Sequence, residues 1–252
     1  KVAGHDINYI SLNGVLHAIG KQGEKPVVPL NLVGDFGGGT MFLVMGVLAA
    51  MLEAKTSGKG QVVDAAMIDG AANLMWMCHS FAAANCWNHE GRGSNLLDGG
   101  AFFYDTYECS DGKYVAVGAI EPQFFGLLVE LCELDTSVFS AEAQMDAAQW
   151  PALKEKLAEV IKAKTRDEWA KIFEGSDACF SPILDFEEAA NHPHNSSRQT
   201  YIEIDGDKQP APAPRFDRTP SQVQHGQHQT GEDTRAVMQQ LGYSDRLIDE
   251  LF

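Results

Sequence analysis

The sequence is poor in cysteine, poor in basic residues and without a long apolar run, and each shortage removes a class of protein. Its five cysteines (Cys78, Cys86, Cys109, Cys132 and Cys179) stand far apart with no C-x-x-C pair. That excludes a zinc ribbon or a disulfide framework and reads as free thiols in a reducing, cytoplasmic setting. No metal centre is expected. Lys and Arg number 19 against 35 Asp and Glu, a formal net charge of −16. Nucleic acids and anionic membrane surfaces both recruit clustered positive charge, so neither is expected as a partner. The longest apolar run, Met41–Leu52, is too short to span a bilayer and is interrupted by Gly46. No signal-peptide pattern opens the chain and no internal repeat recurs. The chain begins Lys1-Val-Ala-Gly-His5 and enters a helical pattern at once, which reads as a start cut from a longer protein.

What remains suits an ordered α/β chain. At 252 residues and 44% apolar content, the core belongs to one large domain or two modest ones. Residues 6–20 repeat apolar side chains at helical spacing and end at Gly20, a candidate cap. After Pro26 and Pro29, the segment Leu30-Asn-Leu-Val-Gly-Asp35-Phe-Gly-Gly-Gly39 leads into a long apolar helix, stopped near Lys55 and Gly58. A buried strand is expected at Gln61–Ala66 and a helix over 67–84. Such strand–helix alternation belongs to an α/β layer. Residues 85–100 change to a Gly/Asn-rich linker. A hairpin follows, Phe102–Cys109 and Tyr114–Ile120 around Ser110-Asp-Gly-Lys113. Helices are expected near 122–132 and 149–163. A capping box at Thr165-Arg-Asp-Glu168 opens another to Glu174, and a strand is expected over Cys179–Leu184. Gln209–Pro220 should be an extended strap. Two short helices should close the chain, split at Gly242 with Ser244 capping the second.

Three places could carry chemistry. Three glycines after Asp35 each cost about 1 kcal/mol against alanine in a helix, so helix stability does not explain them. Bare N–H groups at the positive end of a helix would hold an oxyanion. The alternative is that Asp35 is only an N-cap and the glycines let helices pack closely. Asp-Phe-Gly lacks the companion motifs of a kinase, and the glycine spacing lacks the Gly-Lys-Ser/Thr ending of a P-loop. His5-Asp6 lies about thirty residues upstream; a lone histidine is more often structural. Glu121 leaves an apolar strand before Pro122, where a side chain projects into a cleft or merely faces a helix dipole.

Taken together, Gly4-His-Asp-Ile-Asn-Tyr9, Leu30–Gly39, Gly93-Ser-Asn-Leu-Leu-Asp-Gly-Gly100, Gly118-Ala-Ile-Glu-Pro-Gln-Phe124, Asp177-Ala-Cys179, the Pro-Ala-Pro-Arg-Phe strap and Thr230–Ser244 resemble the α-methylacyl-CoA racemases of the family III CoA-transferase superfamily. The resemblance covers nearly the whole chain. It implies an isomerase that inverts the α-carbon of 2-methylacyl-CoA thioesters by moving one proton, with His5 and Asp35 on opposite faces. Glu121 is implied to support the histidine, with Asp6 and Asn31 in the same polar network. Substrate contacts are implied at Tyr9, Phe36, Gly37, Gly38, Met67 and Ile120, with Met67, Met75 and Met77 offering a soft surface for the acyl chain. CoA is part of the substrate, so no separate cofactor is implied.

The implied architecture is a partial Rossmann-like large domain (1–84), a linker (85–100), a small α+β domain (101–190), and a return strap with C-terminal helices on the large domain (191–252). Family members begin about 120 residues earlier, with a segment that grips the CoA phosphates. They form interlocked homodimers, in which Glu121 would reach His5 from the partner chain. Two other readings stay open: a CoA-transferase with Asp35 as nucleophile, and a non-catalytic dimerising fragment.

Overall fold

The computed structural model describes residues 2–251, so the start at Lys1 lies outside the described residues. By density of contacts the chain divides between Ile183 and Leu184 into two compact units.

The first unit opens with helices α1 (Asp6–Leu12) and α2 (Val15–Ala18), a π-helix (Leu32–Thr40), and helices α3 (Met41–Ser57), α4 (Met67–Leu74) and α5 (Trp76–Ala83). Ile10, Val15 and Ala71 form its small buried cluster, with Met75 packed against it. Then come strands β1 (Tyr104–Glu108) and β2 (Tyr114–Gly118), helices α6 (Pro122–Leu131), α7 (Ala141–Gln144), α8 (Trp150–Ile161) and α9 (Arg166–Phe173), and strand β3 (Phe180–Pro182). The strands form an antiparallel sheet in the order β1-β2-β3, with Tyr104 opposite Gly118 and Val117 opposite Phe180.

Periodicity explains this sheet-bearing half. Val115 and Val117 alternate inward from β2 onto Leu128, Leu157 and Ile161, one residue per helical turn. Phe102, Phe103, Phe125 and Trp150 meet edge to face, which adds directional contacts to their area burial. Trp169, 1% exposed, donates its indole N–H to the Ile161 carbonyl at 2.7 Å. The expected capping box is present: Thr165 Oγ1 accepts from the Glu168 N–H, and Glu168 Oε2 accepts from the Thr165 N–H at 2.8 Å.

The second unit carries α10 (Phe186–Asn191), α11 (Pro193–Arg198), the antiparallel hairpin β4 (Tyr201–Ile204) and β5 (Asp207–Pro210), and α12 (Thr234–Gln240) and α13 (Asp245–Asp249). The last two helices part at Gly242, and Ser244 caps α13, as the sequence indicates. Strand β5 takes the first residues of the expected strap.

Several expectations need correction. The helix expected over 6–20 breaks at Asn13–Gly14, where Gly14 adopts φ +85° and Asn13 turns its side chain to bond Ile68. Its second piece ends at Ala18, so Gly20 is no cap. The helix expected over 67–84 kinks at Met75. Gln61–Ala66 joins no sheet, and no parallel strand pair occurs among the described residues. A strand exists only with a neighbour to bond, so this apolar segment runs as an unpaired connection. The π-helix and α3 are continuous, which makes Leu32–Ser57 a helical stretch of 26 residues with an 18-residue window of mean hydropathy 1.6, long and apolar enough to cross a membrane. The apolar run read as Met41–Leu52 therefore understated it.

The linker is firmly held. Buried Asn95 bonds Asn88 and Asp98 through its side chain. Arg92 donates to the carbonyls of His17 and Glu24, both at 2.6 Å.

Candidate active site

The site assembles where α1, the π-helix and α4 meet. His5 caps the N-terminus of α1, with its backbone N–H donated to the Asn8 side chain at 3.0 Å and its own side chain exposed. Asp6, the next residue, is only 6% exposed. Asp6 Oδ2 accepts the backbone N–H of Asp35 at 2.7 Å, and Asp6 Oδ1 is buried with no partner. Asp35 is held at two further points: the Asn31 amide donates to its Oδ2 at 3.2 Å, and the Thr40 hydroxyl to its carbonyl at 2.9 Å. The half-buried Asp35 carboxylate and the exposed His5 imidazole thus belong to adjoining helices joined through Asp6.

The glycines act differently from the oxyanion reading. Asp35 does not cap a helix; it sits within the π-helix, and Asn31 precedes the first turn. Its N–H is taken by Asp6, and the Phe36 N–H by the Asn31 carbonyl at 3.3 Å. These two donors are therefore not free for an oxyanion, which corrects that expectation at Asp35 and Phe36. The glycines instead permit close approach. A Cβ on Gly38 would lie 2.4 Å from the Ala71 nitrogen, one on Gly37 would meet the Leu32 carbonyl at 3.0 Å, and one on Gly34 would lie 2.3 Å from Asp6 Oδ2.

Other residues fall around this centre. Tyr9 lays its ring against Gly4, and Phe36 is half exposed at 49%. The Met67 sulfur lies beside Gly34, and its Cβ and Cγ beside Gly39. Met75 instead joins the Ile10–Val15–Ala71 cluster and lines a cavity of about 160 Å³ with His17, Cys78, His79, Trp87 and His89. Met67 and Met75 thus pack in different surroundings.

Glu121 and Ile120 stand elsewhere. Glu121 is exposed at the N-cap of α6 without a side-chain cap bond, and its charge is felt at Cys179, whose thiol is pushed up first by burial and then by Glu121 and Asp177. Ile120 packs on the larger core, with its carbonyl accepting from Gln144 at 2.8 Å. Among the described residues no hydrogen bond or ion pair joins Glu121 to His5, Asp6, Asn31 or Asp35. Thr40 and Gly70 were not singled out from sequence, and Gly34 only as the first residue of the glycine-rich stretch to Gly39; an isolated glycine inside an apolar helical pattern was the available signal for Gly70.

A mixed helix-and-sheet chain with a histidine and an aspartate on glycine-packed helices defines a class that comparison identifies. The chain belongs to CoA-transferase family III, whose family model matches residues 1–234. It is 45% identical over 254 residues to the alpha-methylacyl-CoA racemase of Mus musculus, and 42% identical over 253 residues to that of Homo sapiens. All of this chain is covered in both alignments, and it spans 66% and 65% of the length of those relatives. Among solved structures, a CAIB/BAIF family protein from Brucella suis superposes with a TM-score of 0.73 at 22% identity, covering 95% of this chain and 63% of that one.

Proposed function

We propose that this chain carries the proton-transfer centre of an α-methylacyl-CoA racemase, with His5 and Asp35 as the two acid/base groups. The observation that carries the reading is the Asp6 bridge. It begins α1 directly after His5 and accepts the Asp35 backbone N–H, so it ties the backbone that carries the imidazole to the backbone that carries the carboxylate. Inversion needs a base on one face of the α-carbon and an acid on the other. With neutral His5 facing protonated Asp35, or imidazolium facing carboxylate, each enantiomer meets one of each.

A thioester α-proton is much less acidic than either group, so the developing enolate oxygen needs donors. With the Asp35 and Phe36 N–H groups taken, the first-turn N–H groups of Asp6 and Ile7, which have no intrahelical acceptor, are the donors beside His5. The Asn31 amide orients the Asp35 carboxylate. Met67 and Phe36 offer apolar surface to the 2-methylacyl chain. Glu121, which has no bond to His5 among the described residues, would serve it from a second copy in a homodimer. The apolar flank of α3 is covered by protein rather than lipid in this reading, since Asp35 within Leu32–Ser57 is costly in a bilayer and the family match runs through it. A cytoplasmic setting is part of the proposal and rests on the five free cysteines.

The complete enzyme, given either enantiomer of a 2-methylacyl-CoA in D₂O, should incorporate deuterium at the α-carbon and yield both enantiomers. His5→Ala and Asp35→Ala should each lower the rate by about 10²–10⁴-fold. Acyl transfer to a free carboxylic acid without exchange, with hydroxylamine trapping an acyl group on Asp35, would replace this reading with a transferase.

A further inference from the structure

We infer that Gly34 and Asp6 form one positioning device: the missing side chain at position 34 is the aperture through which the Asp6 carboxylate holds Asp35 in register with His5. The inference rests on the racemase reading for its catalytic consequence, and on geometry alone for the coupling between the two residues.

Asp6 is an economical link. Its backbone is bonded directly to His5, and its carboxylate ends 2.7 Å from the Asp35 nitrogen, so one side chain spans the two proton-transfer groups. The arrangement is costly, because the other carboxylate oxygen is buried without a partner, and an unsatisfied buried acceptor opposes folding. Gly34 is what makes it possible. A Cβ there would lie 2.3 Å from Asp6 Oδ2 and 2.6 Å from Asp6 Cγ, far inside contact distance. The carboxylate cannot yield, being 94% buried by its 6% exposure and anchored on Asp35. The Met67 sulfur, 3.0 Å from the same point, is the end of a flexible side chain and can give way. Position 34 has no positive φ, so the demand for glycine is steric and specific to Asp6. Alanine at 34 would push the carboxylate off the Asp35 amide and let Asp35 shift, and a displacement of about 1 Å at a reacting group costs on the order of a hundredfold in rate.

A double-mutant cycle tests this with two readouts, amide hydrogen exchange at Asp35 and α-proton exchange of a 2-methylacyl-CoA in D₂O. Asp6→Ala and Gly34→Ala should each speed amide exchange at Asp35 and lower kcat about a hundredfold, with KM little changed. The double variant should be no worse than either single one, because the clashing carboxylate is gone. Asp6→Asn, whose amide oxygen can accept the same bond, should recover most of the rate. Multiplicative losses in the double variant, unchanged amide exchange in Asp6→Ala, or an Asp6→Asn as impaired as Asp6→Ala would each overturn the inference. If Gly34→Ala does not fold, folding of the double variant supports the aperture, and failure of both leaves Asp6→Ala to decide by its amide exchange. Should the unmodified enzyme exchange no α-proton, the racemase reading fails, while the amide readout still judges the coupling.

Discussion

A Cβ on Gly70 would lie 1.8 Å from the carbonyl oxygen of Gly38, so α4 and the π-helix meet backbone against backbone. Gly70→Ala must therefore force the two helices apart, and overpacking of this kind costs about 1–3 kcal/mol, occasionally more. Gly126, inside α6, has nothing within 4 Å of its would-be Cβ. There alanine should stabilise by about 0.5–1 kcal/mol through the lost chain entropy of glycine. Urea unfolding midpoints should move in opposite directions for the two substitutions. A Gly70→Ala protein as stable as the parent would mean that the helices are not in backbone contact.

Those glycines also show what the sequence could and could not disclose. The hairpin, the capping box at Thr165 and the break at Gly242 were legible because local chemistry determines them: a turn glycine, a reciprocal pair of bonds three residues apart, a left-handed φ. The glycines after Asp35 stood out, but their purpose depends on Ala71 and Gly70, more than thirty residues away, which spacing along the chain does not reveal. Gln61–Ala66 has the apolar composition of a strand, yet strand formation requires a bonded neighbour and the described residues provide none. His5, Asp6, Asn31 and Asp35 were nameable through resemblance. That Asp6 rather than bare glycine amides governs the Asp35 backbone became visible only in three dimensions.

The Tyr107 hydroxyl donates to the Phe102 carbonyl at 2.5 Å inside the larger core. Burial, with a smaller contribution from Asp105, pushes its phenol well above the ordinary value, so it stays a donor across the working pH range. Tyr107→Phe keeps the ring and strands the carbonyl, which should cost about 1–3 kcal/mol. Thermal unfolding of the variant against the parent measures this directly, and equal midpoints would show that the bond contributes nothing net.

The Glu168 carboxyl is held below the usual range by the Thr165 N–H first and its hydroxyl second, with Lys164 adding to both. Because the folded value is the depressed one, the contribution is complete above the unfolded carboxyl value of about 4.3 and is lost as pH falls through the folded one. Glu168→Gln should therefore melt below the parent at neutral pH, with the gap closing as the solution becomes acid. A gap independent of pH would assign the effect to packing instead of the capping charge. Thr165→Ala, which removes the other half of the box, should cost about 1 kcal/mol.

His228 in the second unit should respond with the opposite sign. Its ring bonds the Asp233 carboxylate closely and lies tilted against His225 with centroids 4.0 Å apart. The hydrogen bond to Asp233 raises its proton affinity most; the charges of Asp233, Glu232 and Asp205 act in the same direction, and burial opposes them. Asp205 comes from the turn after β4 and lies against Gly226, where a Cβ would meet its Oδ2 at 2.1 Å. A raised folded value means that the contribution is complete below the unfolded histidine value of about 6.5 and disappears as pH rises through the folded one. Amide exchange over residues 225–233 should accordingly accelerate on passing from mildly acid to mildly alkaline solution, beyond the intrinsic base catalysis seen in a denatured control. Asp233→Asn should remove most of that extra pH dependence, leaving the smaller part due to Glu232 and Asp205, while Glu250→Gln, just past α13, leaves it intact. The same profile in Asp233→Asn and the parent would show that the His228–Asp233 contact does not hold this segment.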